Sequence, residues 1–404
     1  MFAAIAEGRT RIENFATSAD CTSTIDCLRN LGVHIERFGT TVIIDGVGKT
    51  GLFAPANPLD CGNSGTTMRL IAGVLAGQDF ESTLTGDESL RGRPMKRIIE
   101  PLGKMGSIIY SSEGKAPLTI HGKNTLTAIE YQPPVASAQI KSCILLAGLN
   151  ADGVTTVIEP VQTRDHTERM LEWFGVGVTI ERGRRGAKIS VSGDSLLTAR
   201  DLIVPSDISS AAFFMVAAAC LAGSEIVMAN VGLNPSRRAI LDVTIGLGAD
   251  IEIRESTETC NEPVAEIRVR GGIGNPTISN ILKGDIIANL IDEVPILAVL
   301  GTQIEGGIEI RDAGELRVKE SDRIKSVVEN LELMGAKVTE FPDGLRVEKS
   351  ELAGAEIDSH NDHRISMAFA IAGLFATGET SIHGAEAADV SFPGFFETLA
   401  SVVK

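Results

Sequence analysis

Apolar positions along the chain fall into two kinds of unit that alternate. The first is an Ala-rich helix, apolar on most faces, that ends at a small residue and Gly and leads into a strand. It predicts Phe2–Gly8 into Thr10–Phe15, Thr66–Gly77 into Phe80–Thr85, Ser137–Gly148 into Val154–Glu159, Ser209–Gly223 into Ser224–Val231, Val294–Gly307 into Ile308–Asp312, and Ile365–Gly378 into Glu379–Gly384. The second is an amphipathic helix ending near Gly, followed by two strands of alternating pattern. It predicts Ser23–Gly32 with a hairpin over Val33–Gly46, Met95–Gly106 with Ser107–Gly122, Thr167–Gly175 with Val176–Gly193, Arg237–Gly248 with Ala249–Gly271, and Ile324–Gly335 with Ala336–Val347. Gly directly after a helix is the residue a left-handed C-terminal cap favours. Any α/β protein contains a few helix–Gly–strand segments, but eleven units in strict alternation form an internal repeat.

Six copies of the first unit divide into two domains of three, 1–205 and 206–404, with the junction near Val204-Pro205. A sixth copy of the second unit begins at Phe395, and the sequence reaches Lys404 before a hairpin follows. The expectation is that this hairpin comes from a segment preceding Met1, or from a peptide supplied in trans.

The most charged stretch is Arg317-Val318-Lys319-Glu320-Ser321-Asp322-Arg323, between a strand-like run and the Ile324 helix. Read as the first turn of that helix, it places Lys319 and Arg323 on one face. Helix N-termini favour anions, and two cations there strengthen the trap. Similar polar junctions open the first-type helices: Gly62–Arg69, Ala136–Gln139, Ser206–Ser210, Ile291–Glu293 and Asn361–Arg364. If the two domains face each other, these junctions converge on one cleft suited to phosphate and carboxylate groups. Arg91, Arg93 and Arg164 add cations on loops at the same ends. Arg pairs bidentately with oxyanions, so this set points to more than one anionic group bound. Asp292 and Glu320 are the carboxylates best placed for proton transfer. His363 reads as a hydrogen-bond donor or a proton shuttle.

Composition narrows the choice. At 43% hydrophobic and 22% charged residues the chain is an ordinary globular one. A net charge of −16 opposes nucleic-acid binding but not a small anionic substrate, because a few convergent cations dominate a local pocket. The six cysteines form no CxxC and no metal spacing, which fits reduced, buried thiols and a cytoplasmic location. The longest apolar run, Ala211–Gly223, is too short for a bilayer, so no membrane association is expected. No dinucleotide fingerprint, P-loop or nucleophile elbow occurs.

The motifs LDCGNSGTTMRL (59–70), GDESLRGRP (86–94), ASAQIKS (136–142), TRDHTE (163–168), DISSAAFF (207–214), IDE (291–293), ELRVKESDR (315–323), NDHR (361–364) and SFPGFF (391–396) together resemble the bacterial-type 5-enolpyruvylshikimate-3-phosphate synthase family over the whole chain. The resemblance implies two inverse α/β barrel-like domains, each of three βαβαββ repeats, hinged about a cleft. It implies transfer of the enolpyruvyl group of phosphoenolpyruvate to the 5-hydroxyl of shikimate 3-phosphate, with no metal or organic cofactor, by a monomer that glyphosate inhibits. By the same resemblance Ser137, Ala138, Gln139, Arg164, Asp292, Glu315 and Lys319 hold shikimate 3-phosphate. Gly65, Arg93, Arg323 and Arg364 hold phosphoenolpyruvate. Asp292 and Glu320 exchange protons with Lys319 beside them, and Asn63, Arg69 and His363 support the site. The sequence departs from the family in lacking Gly-Asp-Lys-Ser-x-Ser-His-Arg before Met1 and in placing Val390 where some members have Lys.

Three other readings compete. UDP-N-acetylglucosamine enolpyruvyl transferase shares fold and donor but places a Cys in the loop corresponding to Thr85–Met95, which has none here. An RNA-end-processing protein of the related cyclase fold would need a basic surface. A non-catalytic or split form is the third.

Overall fold

The computed structural model describes residues 1–183 and 186–403. They form two compact units, Met1–Val204 and Pro205–Lys404.

In the first unit three four-stranded sheets repeat one arrangement. A short entering strand lies parallel to the strand that follows an apolar helix, and a hairpin completes the sheet antiparallel to that second strand. Leu59–Asp60 pairs parallel with Glu81–Thr85, which pairs antiparallel with Lys115–His121, which pairs with Ile108–Ser112. Glu130–Tyr131, Val154–Glu159, Ala187–Ser192 and Val178–Arg182 repeat this order. Leu202–Ile203, at the end of the unit, closes the sheet of Glu7–Glu13, Thr41–Val47 and His34–Phe38. The entering strands are only two residues long, and the alternation signal needs about four.

The parallel crossovers carry helices Gly65–Ala76 and Ala138–Gly148, both buried along nearly their whole length. They approach closely at Gly73, where an added Cβ would lie 2.2 Å from the Cys143 carbonyl oxygen. This contact needs a residue without a side chain, which is why that apolar helix carries Gly in mid-course despite the helix cost. The amphipathic helices Ala19–Asn30, Lys96–Lys104 and His166–Trp173 lie outside, one face covered.

The second unit repeats the plan. Helices Ile208–Cys220, Val294–Gly301 and His363–Gly373 are buried, and Ala239–Gly246, Arg323–Leu333 and Phe395–Val402 are the amphipathic set. Phe213, Phe369 and Phe395 are fully buried, with the Phe213 and Phe395 rings 5.9 Å apart, and each side chain contributes about 2 kcal/mol by burial. Its sheets are Glu225–Gly232, Glu262–Arg270 and Asp250–Thr259; then Ile281–Leu282, Ile308–Ile310, Gly344–Val347 and Val338–Phe341; then the parallel pair Glu356–Asp358 and Ser381–His383. The Gly that follows each of the five hairpin-bearing amphipathic helices has φ between +82° and +104°, as the left-handed cap requires.

Two expectations are corrected. The first apolar run is a single 3-10 turn over Phe2–Ile5, and the strand starts at Glu7, pairing with Val47, instead of at Thr10. Lys319 and Glu320 do not lie in the first turn of a helix. That helix starts at Arg323, because the Asp322 side chain caps it by accepting the Lys325 amide at 3.0 Å. Lys319 is extended (ψ −150°), following a 3-10 turn over Gly314–Val318.

Candidate active site

Each unit carries a cluster of charged and polar side chains at the N-termini of its buried helices. In the first unit Ser64 caps helix Gly65–Ala76 by accepting the Thr67 amide at 3.2 Å. One turn in, buried Arg69 donates from Nη1 to Gln139 Oε1 at 2.6 Å, and Gln139 Nε2 donates to Thr66 Oγ1 at 2.8 Å. The loop before the helix is tied to the Asp87–Pro94 segment. Arg93 Nη2 donates to Asn63 Oδ1 at 2.7 Å, and Asn63 Nδ2 donates to Asp87 Oδ2 at 2.6 Å. Asp87 also caps the short helix Glu88–Gly92 through the Leu90 amide. A Cβ on Gly65 would stand 2.7 Å from Arg69 Nη1 and 3.4 Å from Arg93 Nη1, so Gly65 faces two guanidinium groups. Ser137 occupies the N-cap position of helix Ala138–Gly148 without a side-chain cap bond. Arg164 is half-buried on the loop between Glu159 and His166.

In the second unit Arg323 is the hub. Its side chain is 2% exposed, and its guanidinium reaches Asp362 at 2.7 Å, Glu320 at 2.7 Å and Asp292 at 3.5 Å. Asp362, fully buried, caps helix His363–Gly373 through the Arg364 amide at 2.8 Å and accepts the Ser321 hydroxyl at 3.1 Å. Burial pushes the Asp362 carboxyl up, but Arg323 beside it outweighs this and holds it below the usual range. Glu320 follows the same pattern: burial raises it, Arg323 lowers it further, and it ends below its ordinary value. Lys319 Nζ lies 3.9 Å from Asp292 and 3.7 Å from Glu315. Behind these, buried Glu293 accepts the Ser209 hydroxyl and lies 3.9 Å from Arg364, while Arg237 donates to Ser209 and pairs with Asp207 at 3.3 Å. Burial, only partly offset by Arg364 and Arg237, holds Glu293 above the ordinary carboxyl range.

The family model for EPSP synthase (3-phosphoshikimate 1-carboxyvinyltransferase) matches residues 1–399. A 3-phosphoshikimate 1-carboxyvinyltransferase from Solibacter usitatus is 51% identical over all of this chain and 93% of its own length, and one from Brevibacillus brevis is 50% identical over the same shares. The chain belongs to the EPSP synthase family. A solved EPSP synthase from Acinetobacter baumannii is 43% identical and superposes with a TM-score of 0.89, over all of this chain and 92% of that one. The fold is therefore the two-domain enolpyruvyl transferase fold.

Within each unit the structure brings together most of the residues the sequence singles out. Asn63, Gly65, Arg69, Arg93 and Gln139 form one connected set. Asp292, Glu315, Lys319, Glu320 and Arg323 form another. Ser137 and Ala138 open their helix, and Arg364 opens another beside His363. Arg91 is exposed and bonds only the Asp87 carbonyl, at 3.4 Å, among the contacts described. Sequence reasoning assigns no role to Asp362 and Glu293, which face Arg323 and Arg364, to Asp87, which holds Asn63 beside Arg93, or to Arg237, which pairs with Asp207 and Ser209. Asp362 and Asp87 carried a readable signal, since each stands directly before a helix as an N-cap. Among the described residues no group of His, Cys, Asp and Glu could hold a metal ion, and no helix is long and apolar enough to cross a membrane.

Burial first, then the neighbouring Arg364, push the His363 imidazole down to about 4. At pH 7 it is neutral, which suits hydrogen bonding better than carrying a proton. An unfolded-state imidazole titrates near 6.5, so the unfolded chain binds more protons between pH 6.5 and 4, and stability falls as pH drops through that window. His363→Gln removes this loss. The wild type should fall below the variant by up to about 2 kcal/mol as pH approaches 4, a figure reduced because the ring is only partly covered. Glu293 and Glu168, held up by burial, slope the other way. The test is therefore the difference between the two proteins in urea unfolding at several pH values; parallel curves would contradict the depressed imidazole.

Proposed function

We propose that this chain transfers the enolpyruvyl group of phosphoenolpyruvate to the 5-hydroxyl of shikimate 3-phosphate, releasing phosphate. The carrying observation is the buried guanidinium of Arg323, which lies against both Asp292 and Glu320. Addition followed by elimination needs one group to take the 5-hydroxyl proton and another to deliver a proton to the methylene carbon of phosphoenolpyruvate. Asp292 serves as the base and as a ligand for the ring hydroxyls. Glu320 is the proton partner of the methylene carbon. The 5-oxygen bonds to the central carbon as that methylene becomes a methyl. The methyl then returns a proton, and the bond to the phosphate oxygen breaks. In the second unit Arg323 and Arg364 offer bidentate donors to phosphoenolpyruvate; in the first unit Arg93 does, and Gly65, lacking a side chain, leaves the guanidinium groups of Arg69 and Arg93 uncrowded. In the first unit Ser137, Ala138, Gln139 and Arg164 are the groups for shikimate 3-phosphate; in the second unit Glu315 and Lys319 are. Asn63 and Arg69 brace Arg93 and Gln139.

The test is phosphate release from the two substrates, with the chain alone and with a Gly-Asp-Lys-Ser-x-Ser-His-Arg peptide added in trans. Release that requires both substrates, in either arm, supports the reading. Silence in both arms, from protein shown to be folded, overturns it.

The same reading makes the chain a cytoplasmic monomer that glyphosate inhibits in competition with phosphoenolpyruvate. Gly65→Ala places a methyl against Arg69 Nη1, which Gln139 pins, so the guanidinium groups must shift. The KM for phosphoenolpyruvate should rise roughly tenfold, about 1.4 kcal/mol, with a larger rise in the inhibition constant for glyphosate. Unchanged activity of the unsubstituted chain at millimolar glyphosate and low phosphoenolpyruvate would sink the expectation.

A further inference from the structure

Among the described residues of the first unit, Lys141 is the most thoroughly buried cation outside the proposed binding groups. It is 0% exposed and sits one turn past Ser137 and Ala138 on helix Ala138–Gly148. Its ammonium lies 3.1 Å from Glu159 and 2.6 Å from Glu168, both buried. Glu159 is the last residue of strand Val154–Glu159, and Glu168 stands in the first turn of helix His166–Trp173. The loop between them, residues 160–165, carries Arg164. Both ends of that loop are thus tied to one ammonium on the helix that begins with Ser137. Two further bonds tighten the same joint: the Thr163 hydroxyl donates to the other Glu159 oxygen, and Ser142 and Thr167 share a 2.6 Å hydroxyl bond.

A lysine buried with two carboxylates is a costly way to fill a core, since each ion loses its hydration. Apolar residues of similar size would hold a helix against a strand as well. What an ion bridge adds is direction, because it fixes three segments at set distances and through oriented bonds. Thr163 extends that constraint to the residue adjoining Arg164. We infer that Lys141, through Glu159, Glu168 and Thr163, is a positioning residue that sets Arg164 against Ser137 for the phosphate of shikimate 3-phosphate. The inference rests on the proposed function, which gives Ser137 and Arg164 that substrate.

The test compares Thr163→Val, Lys141→Met and Arg164→Ala by steady-state kinetics with each substrate varied, alongside thermal unfolding. Thr163→Val is the decisive variant, because it removes one hydroxyl at a half-exposed position and leaves the ion bridge in place. The expected result is a rise of roughly tenfold in the KM for shikimate 3-phosphate, with the KM for phosphoenolpyruvate and the unfolding temperature unchanged. Lys141→Met should show the same split, more strongly, in whatever fraction folds. A purely structural role would lower the unfolding temperature of Lys141→Met and move neither KM selectively. If Arg164→Ala raises the KM for shikimate 3-phosphate while Thr163→Val and folded Lys141→Met do not, the positioning role is wrong and the site assignment stands. If Arg164→Ala leaves that KM unchanged, the assignment of Arg164 falls, and the positioning role with it.

Discussion

Arg323→Met should unfold the second unit more readily than any other single substitution in the site and abolish turnover. The guanidinium offsets three carboxylates at once, and its side chain is 2% exposed. Without it, Asp362 is a fully buried, uncompensated charge beside Glu320. Breaking a buried pair by removing one partner costs about 3–5 kcal/mol, because the remaining ion keeps its desolvation penalty and loses its attraction. Methionine fills similar volume, so the loss reads out charge and not a cavity. Denaturant unfolding at pH 7 measures it. A loss under about 1 kcal/mol would mean that Asp362 is protonated in the folded chain, against the direction its neighbours impose. The double variant Arg323→Met with Asp362→Asn separates the two roles. Stability should recover in part, since the orphan charge is gone, while activity stays absent because the anion-binding group is still missing.

The sequence shows the repeat plainly and the charge pairing hardly at all. Helix ends are legible because their chemistry is local: Gly32, Gly106, Gly175, Gly248 and Gly335 each supply the left-handed residue that the preceding helix needs. Buried helices are legible because they are apolar on most faces, as Ile208–Cys220 shows. The pairing of Arg323 with Asp362 is not local. The two residues are 39 positions apart, and nothing in the spacing of RVKESDR and NDHR says that one motif neutralises the other. The same holds for Glu293 with Ser209, 84 positions away, and for Lys141 with Glu159 and Glu168, where a lysine amid Gln-Ile-Lys-Ser-Cys reads as an ordinary surface position. The helical placement of Lys319 fails for a local reason instead. Two candidate caps, Ser321 and Asp322, follow it, and an acidic cap two residues before Ile324 moves the helix start past both Lys319 and Glu320. That leaves Lys319 on extended backbone, its ammonium reaching toward Asp292.

Glu320→Gln should separate proton transfer from binding. The carboxylate touches Arg323 at 2.7 Å and lies below its ordinary range, so in the free protein at pH 7 it is ionised. An ionised group cannot deliver a proton to the methylene carbon. Binding resolves this, because the carboxylate and phosphate of phosphoenolpyruvate compete for Arg323 and add negative charge beside Glu320, and both effects raise its pKa. Substrate binding should therefore draw a proton from solution, and calorimetry in two buffers of different ionisation enthalpy reads that uptake directly. Gln keeps the size and a hydrogen-bonding oxygen for Arg323 but cannot titrate. The variant should bind with little change in KM, lose the proton uptake, and turn over about 10²–10⁴ times more slowly, the usual contribution of one positioned acid–base group. If the variant loses rate but the unsubstituted chain binds without proton uptake, Glu320 acts by holding Arg323, and the proton must come from another group. If uptake and rate vanish together, the depressed carboxyl of the free chain is the resting state of the group that protonates the substrate.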